Sequence, residues 1–137
     1  MKGCFFGCKT ASERLTKGGC IINIGSLAGK RGSKNNSVYV ASKFGVVGLT
    51  QALAKELGER CIRVNGICPV YVETDELLSN LTEDHPDVGQ QDPHEFLKEF
   101  AAKNAALKRL PYAEEIADVC LYLTSKYSSA ITGQNIN

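Results

Sequence analysis

Two short apolar runs rich in isoleucine and valine, "GGCIINIGS" with its centre at 20–25 and "CIRVNGICP" at 61–69, read as buried strands bounded by glycine and proline. Between them, Val46, Leu49, Leu53 and Leu57 step by three, four and four, which predicts a helix over 38–57 with Gly58 as its stop. A strand, a helix and a second strand at this spacing pack best as a parallel sheet with a right-handed crossover and helices on its faces. The chain is therefore expected to be α/β.

The remaining segments fit that frame. Residues 3–15 are expected to form a helix with Phe5, Phe6 and Leu15 as its apolar contribution, and "LAGKRGSKNNS" (27–37) a polar loop. The polar stretch 73–110 contains a loop-like "EDHPDVGQQDPH" and a helix from Glu95 to about Ala106. "AEEIADVCLYLTS" (113–125) is an amphipathic helix with acids in its first turn, where the helix dipole favours them. "ITGQNIN" begins as a turn and opens a third strand. A length of 137 residues without internal repeat or linker corresponds to one domain with a real core.

Composition limits the partners. A net charge of +1 gives no electrostatic reason to expect nucleic acid or a membrane surface, and Lys30, Arg31 and Lys34 read as a solvated loop. No signal peptide or membrane-spanning run is visible, so a cytoplasmic protein is expected. Six cysteines at 4, 8, 20, 61, 68 and 120 sit mostly in apolar runs without a CxxC, and read as buried reduced thiols. Cys4 and Cys8 share a helical face, but no second ligand pair follows; His85 and His94 lack metal-ligand spacing, so no metal is expected.

In an open parallel sheet, ligands bind beyond the carboxyl ends of the strands. Ser26 falls at that end of the first strand, directly after Ile24 and Gly25, and Pro69 to Thr74 fall at that end of the second. "SVYVASKFG" (37–45) places Tyr39 four residues before Lys43, so both share one face of the intervening helix. A tyrosine with a reference pKa near ~10 is a poor base at neutral pH, but a neighbouring cation favours its phenolate. A serine hydroxyl nearby can hydrogen-bond a substrate oxygen while charge develops there. Together these residues make a coherent proton-transfer site. The same spacing recurs in Tyr122 and Lys126, yet the position corresponding to Ser26 is then Arg109, at no strand end. Those two are read as helix-surface and core residues.

With these residues in place, the chain resembles the short-chain dehydrogenase/reductase family along its whole length. "GGCIINIGSLAG" resembles the strand carrying the family's catalytic serine, and "YVASKFGVVGLTQALAKEL" its active-site helix with Y-x-x-x-K. "IRVNGICPVYVET" resembles the strand and turn written N-x-x-x-P-G-x-x-x-T, and "AEEIADVCLYLTSKYSSAITGQNI" the final helix and the start of the last strand. The resemblance implies a Rossmann-like parallel sheet flanked by helices and hydride transfer between NAD or NADP and a small carbonyl or alcohol substrate. Tyr39 would be the acid/base. Lys43 would hold the nicotinamide ribose and favour the phenolate, and Ser26 would orient the substrate oxygen. Pro69, Val72 and Thr74 would line the cofactor beside Tyr39 and Lys43. The segment from about 75 to 110 would be the substrate lid, and helices 38–57 and 113–125 would be subunit contacts in a homo-oligomeric parent enzyme.

Some family features do not occur. Members are about twice this length, and no G-x-x-x-G-x-G or G-x-G-x-x-G turn is present to cradle a pyrophosphate. "MKGCFFG" resembles N-x-K-G-x-F, whose asparagine would precede Met1, and "ITGQNIN" stops before the usual V-D-G-G. The chain is thus expected to be the C-terminal half of a doubly wound fold, a partial domain over 1–137, inactive alone and prone to pair or aggregate through the open edge of "CIINIG". The alternative is a truncated, non-catalytic isoform that acts as an interaction module with full-length subunits. Val70 stands where the family usually has glycine, and a β-branched residue resists positive φ. Cys68 is read as a packed small hydrophobe rather than a redox sensor, Asn65 and Thr50 as structural, and Glu73, Asp75 and Glu76 as a helix start. The lid composition fits a polar substrate such as a sugar, polyol or ketone, and an acyl thioester is compatible.

Overall fold

The isoleucine-rich runs pair as parallel strands β1 (Cys20–Ile24) and β2 (Arg63–Ile67), in register from Cys20 opposite Arg63 to Ile24 opposite Ile67. A short third strand, β3 (Asn135–Ile136), adds in parallel to β2, giving the order β1-β2-β3. The helices among the described residues are α1 (Lys2–Arg14), α2 (Ser37–Gly58), α3 (Asp75–Asn80), α4 (Pro93–Asn104) and α5 (Ala113–Thr124). Single 3₁₀ turns lie at Leu27–Gly29 and Lys126–Ser128. These elements come from a computed structural model, which describes residues 1–81, 88–89 and 91–137.

The period of two along each strand divides the sheet into two faces. Ile21 and Val64 join Cys8 of α1, Ala54 and Leu57 of α2, and Ile62 in one buried cluster, with Cys4, Ala11, Leu15, Leu49 and Leu53 packed around it. Burying an aliphatic side chain of this size contributes roughly 1.5–3 kcal/mol, so this cluster is the main anchor of the two helices. The alternate residues face the chain between 123 and 134. The Cys20 thiol donates to the Leu123 carbonyl at 3.5 Å, and Arg63 donates to the carbonyls of Ser125 and Ile131. Buried Asn65 donates to the Ile131 carbonyl at 2.9 Å and accepts from the Gln134 amide at 3.1 Å. Thr50 is buried as well, so both residues read as structural lie inside the fold.

The chain divides into two compact units, 1–69 with 118–137, and 70–117. The first holds the sheet. The second has its own core of Leu81, Val88, Leu97, Ala101 and Leu110, with Val70, Tyr71, Phe96 and Phe100 against it. The Tyr71 and Phe100 rings meet edge to face at 4.9 Å. Val70 packs here and is not among the non-glycine residues at positive φ, which are Asn35, Cys61 and Lys108 among the described residues.

Several boundaries differ from the sequence reading. The second strand begins at Arg63 rather than 61, because Cys61 turns at φ 55° and its amide donates to the Gly58 carbonyl. Helix α4 begins at Pro93 rather than Glu95. The Asp92 carboxylate accepts from the amides of His94 and Glu95, and Pro93 fills the first helical position, where a missing N–H costs nothing. His94 therefore lies in a helix, not in a loop. His85 and half of the loop-like stretch around it fall outside the described residues. Of the six free cysteines, only Cys8 and Cys68 are buried and Cys61 is exposed, which corrects the reading of all six as buried thiols. Among the described residues β1 pairs only with β2, and Ile24 is 52% exposed. No helix among them is long and apolar enough to cross a membrane.

Candidate active site

The site is assembled where β1 and β2 end. Gly25 follows β1 and its amide donates to the Ile67 carbonyl at 2.7 Å; a Cβ there would lie 2.8 Å from the Cys68 sulfur. Ser26 continues in extended conformation, and its hydroxyl oxygen accepts from the Ala28 amide at 3.2 Å, capping the 3₁₀ turn. With that lone pair engaged, the Ser26 O–H remains a donor, and it meets no acceptor among the described residues. Leu27 donates to the Pro69 carbonyl at 2.9 Å, which stitches the serine loop to the end of β2. Pro69 itself has no N–H and cannot extend the ladder.

Helix α2 brings the other two residues. Tyr39 lies in its first turn and is 43% exposed, and Lys43 follows one turn later. The Lys43 ammonium donates to the Gly25 carbonyl at 3.0 Å and, more weakly, to that of Ile24 at 3.4 Å. It stands 5.6 Å from the centroid of the Tyr39 ring. One cation therefore touches the tyrosine on one side and the two residues preceding Ser26 on the other. Ser26, Tyr39, Lys43 and Pro69 are brought together. Val72 and Thr74 belong to the unit 70–117, where Val72 is half-buried and the Thr74 hydroxyl caps α3 by accepting from the Leu77 amide at 3.2 Å. Asp75 and Glu76 form the first turn of α3 as read, whereas Glu73 lies ahead of its cap and meets His94 instead.

Two positioning residues were not legible beforehand. Gly29 is buried against α2, and a Cβ on it would lie 2.6 Å from the Lys43 carbonyl oxygen, so the serine loop sits directly on the backbone that carries the lysine. Asn23 is 5% exposed, and its amide donates to the Thr50 hydroxyl at 3.0 Å, which donates in turn to the Val46 carbonyl at 2.8 Å. This chain of bonds ties β1 to α2 beneath the site. An asparagine inside an apolar strand was the available signal for the second; the first depends on a long-range contact.

The Tyr122 and Lys126 pair does not form a comparable site. Helix α5 ends at Thr124, and Lys126 opens a 3₁₀ turn with its amine over the Tyr127 ring at 5.5 Å. Both residues are exposed, so neither is part of the core. Within the unit 70–117, a cleft of about 350 Å³ is lined by Glu73, His94, Lys98, Lys108, Arg109 and Tyr112, among others. His94 Nδ1 and a Glu73 carboxylate oxygen meet there at 2.9 Å. Arg109 makes a bidentate pair with Glu115, which together with the Tyr112 amide holds the Glu115 carboxyl down at about 2.

Comparison with known proteins identifies the family and the fold. The family model described as enoyl-(acyl carrier protein) reductase matches residues 1–137. The 3-oxoacyl-[acyl-carrier-protein] reductase FabG of Chlamydia trachomatis is 40% identical over 118 residues, 86% of this chain and 42% of that protein. The human (3R)-3-hydroxyacyl-CoA dehydrogenase is 34% identical over 139 residues, 99% of this chain and 48% of that protein. An actinorhodin polyketide ketoreductase solved with NADPH superimposes with a TM-score of 0.79 at 36% identity, over 93% of this chain and 47% of that one. The chain thus spans about half the length of these relatives. A parallel sheet flanked by helices, and a match of the family model over every residue, lead to one conclusion: the chain belongs to the short-chain dehydrogenase/reductase family of oxidoreductases.

Proposed function

We propose that Ser26, Tyr39 and Lys43 form the proton-transfer site of an NAD(P)-dependent oxidoreductase that interconverts a carbonyl and an alcohol. The observation that carries this reading is the placement of the Lys43 ammonium between the Tyr39 ring and the carbonyls that lead into Ser26. In the reducing direction the Tyr39 hydroxyl gives its proton to the substrate oxygen, while the Ser26 O–H donates to the same oxygen as negative charge develops. The Lys43 cation stabilises the phenolate left behind. In the oxidising direction Tyr39 takes the alcohol proton back.

The donor set also fits a nicotinamide riboside. Two of the three Lys43 N–H groups are spent on carbonyls, and among the described residues the third has no acceptor, so it is available to a ribose hydroxyl beside Tyr39. Tyr39, Lys43 and Pro69, all in the unit that holds the sheet, are the residues proposed to hold the cofactor. When bound, the nicotinamide supplies the hydride. The names of the relatives, which act on 3-oxoacyl and 3-hydroxyacyl groups, support a 3-oxoacyl thioester as the first substrate to test.

The 137 residues alone are expected to lack turnover, because none of them forms a Gly-rich turn for the pyrophosphate and reaction needs the cofactor held in near-attack geometry. Fluorescence titration with NADH and NADPH tests this. The chain alone should not saturate, whereas the chain fused behind the N-terminal half of the Chlamydia relative should. Saturable binding by the chain alone would overturn the premise that it cannot hold the cofactor without the missing turn. A cooperatively folded fusion that binds neither nucleotide would overturn the cofactor reading.

A further inference from the structure

A pair of thiols lies on the face of β1 that looks toward α1, and the proposed reaction makes no use of it. Cys4 and Cys8 are one turn apart on α1, and both sulfurs donate to the same acceptor, Asn23 Oδ1, at 3.4 and 3.2 Å. Cys4 is half-buried and Cys8 is buried. Three outcomes are open to such a pair: a disulfide, a multi-ligand metal site, or a single atom bridging the two sulfurs.

Geometry disfavours the first. Residues four apart on a helix hold their Cβ atoms roughly 5–6 Å from each other. A relaxed disulfide needs about 3.5–4.5 Å, so closing one would unwind the first turns of α1. The second lacks ligands. Among the described residues no group of three His, Cys, Asp or Glu side chains is placed to hold a metal ion, and a structural zinc takes four. A bridging atom adds two bonds to sulfur and spans the wider gap without moving the helix.

Charge then selects the atom. Burial pushes the Cys8 thiol up from its ordinary value, and the neighbouring Cys4 adds to this, so a ligand that requires two thiolates is disfavoured. A trivalent arsenic centre carrying one organic group avoids the difficulty, because its dithiol adduct is neutral.

We propose that Cys4 and Cys8 form a vicinal dithiol site that captures one trivalent monoorganoarsenic centre. In the reaction with an organoarsenic oxide, two As–S bonds form and the arsenic–oxygen bond breaks. Both thiol protons leave on that oxygen as one water, and arsenic remains trivalent. Cys4, in the first turn of α1 and partly exposed, reacts first, and Cys8 closes the ring. Loss of both S–H donors leaves Asn23 Oδ1 without its partners, so capture loosens the contact between α1 and β1.

The test is titration of the reduced full chain with phenylarsine oxide, read by intact mass and by mapping of the peptide that contains residues 3–9. One adduct per chain on that peptide is expected, with the mass of one phenylarsenic group less two hydrogens. Cys4→Ser and Cys8→Ser should each weaken capture at least tenfold, and Cys61→Ser should leave it unchanged. Because Cys8→Ser alters a buried position, the Cys4→Ser result decides if the two disagree. An adduct retained at full affinity in Cys4→Ser, or mapped to another pair of cysteines, or absent altogether, would overturn the proposal. So would ready formation of a Cys4–Cys8 disulfide on titration with hydrogen peroxide, since it would show that the helix closes the gap that the argument holds open.

Discussion

Gly29 determines how closely the serine loop approaches the lysine helix. Its backbone lies against the Lys43 carbonyl, where any Cβ would come within 2.6 Å of the oxygen and 2.8 Å of the carbonyl carbon. Neither atom belongs to a flexible side chain, so a substitution must push the loop and the helix apart. Gly29→Ala is expected to cost about 1–3 kcal/mol of stability, the usual range for overpacking. A denaturant melt that leaves the midpoint unchanged would contradict the close contact. At the surface, the Arg109–Glu115 pair has a defined pH signature. The Glu115 carboxyl is lowered from 4.5 to about 2, so its contribution is complete above pH 4.5 and disappears as the pH falls through about 2. The difference in melting midpoint between the native chain and Arg109→Ala should therefore be steady at neutral pH and vanish near pH 2. A difference that grows on acidification would have the wrong sign.

Among the elements, β2 depends on polar as well as apolar contacts. Its Asn65 side chain satisfies the Ile131 carbonyl and the Gln134 amide, fixing the segment that leads into β3. Asn65→Ala would leave the Gln134 amide without its acceptor and the Ile131 carbonyl with only the Arg63 donor at 3.4 Å, at about 1–3 kcal/mol for the amide if it stays buried, and the loss should appear as faster amide exchange in 131–136. The strands and α2 were legible because their apolar periods are strong and bounded by glycine or proline. The start of α4 was misread, although Asp92-Pro93-His94-Glu95 carries a cap residue followed by proline. The polar composition around it concealed that signal. The late start of β2 had no signal at all, since Cys61 takes a positive φ that neither its type nor its neighbours announce. The grouping of Ser26, Tyr39 and Lys43 followed from a strand end and a helical spacing; Asn23 was signalled only by its polarity within an apolar strand, and Gly29 acts through a contact that no local pattern encodes.

At the scale of the molecule, the residues proposed for proton transfer lie at the carboxyl ends of β1 and β2 in a sheet of three parallel strands, where ligands bind in doubly wound sheets generally. The other edge of β1 is unpaired among the described residues, and Ile24 stands exposed there, next to the residues that hold Lys43. The most direct test of the proton-transfer assignment is NADPH-dependent reduction of a 3-oxoacyl thioester by the fusion described above, with Tyr39 intact and as Tyr39→Phe. The account predicts that the substitution lowers turnover by about 10²–10⁴-fold while NADPH still binds. Equal turnover in the two proteins would contradict it.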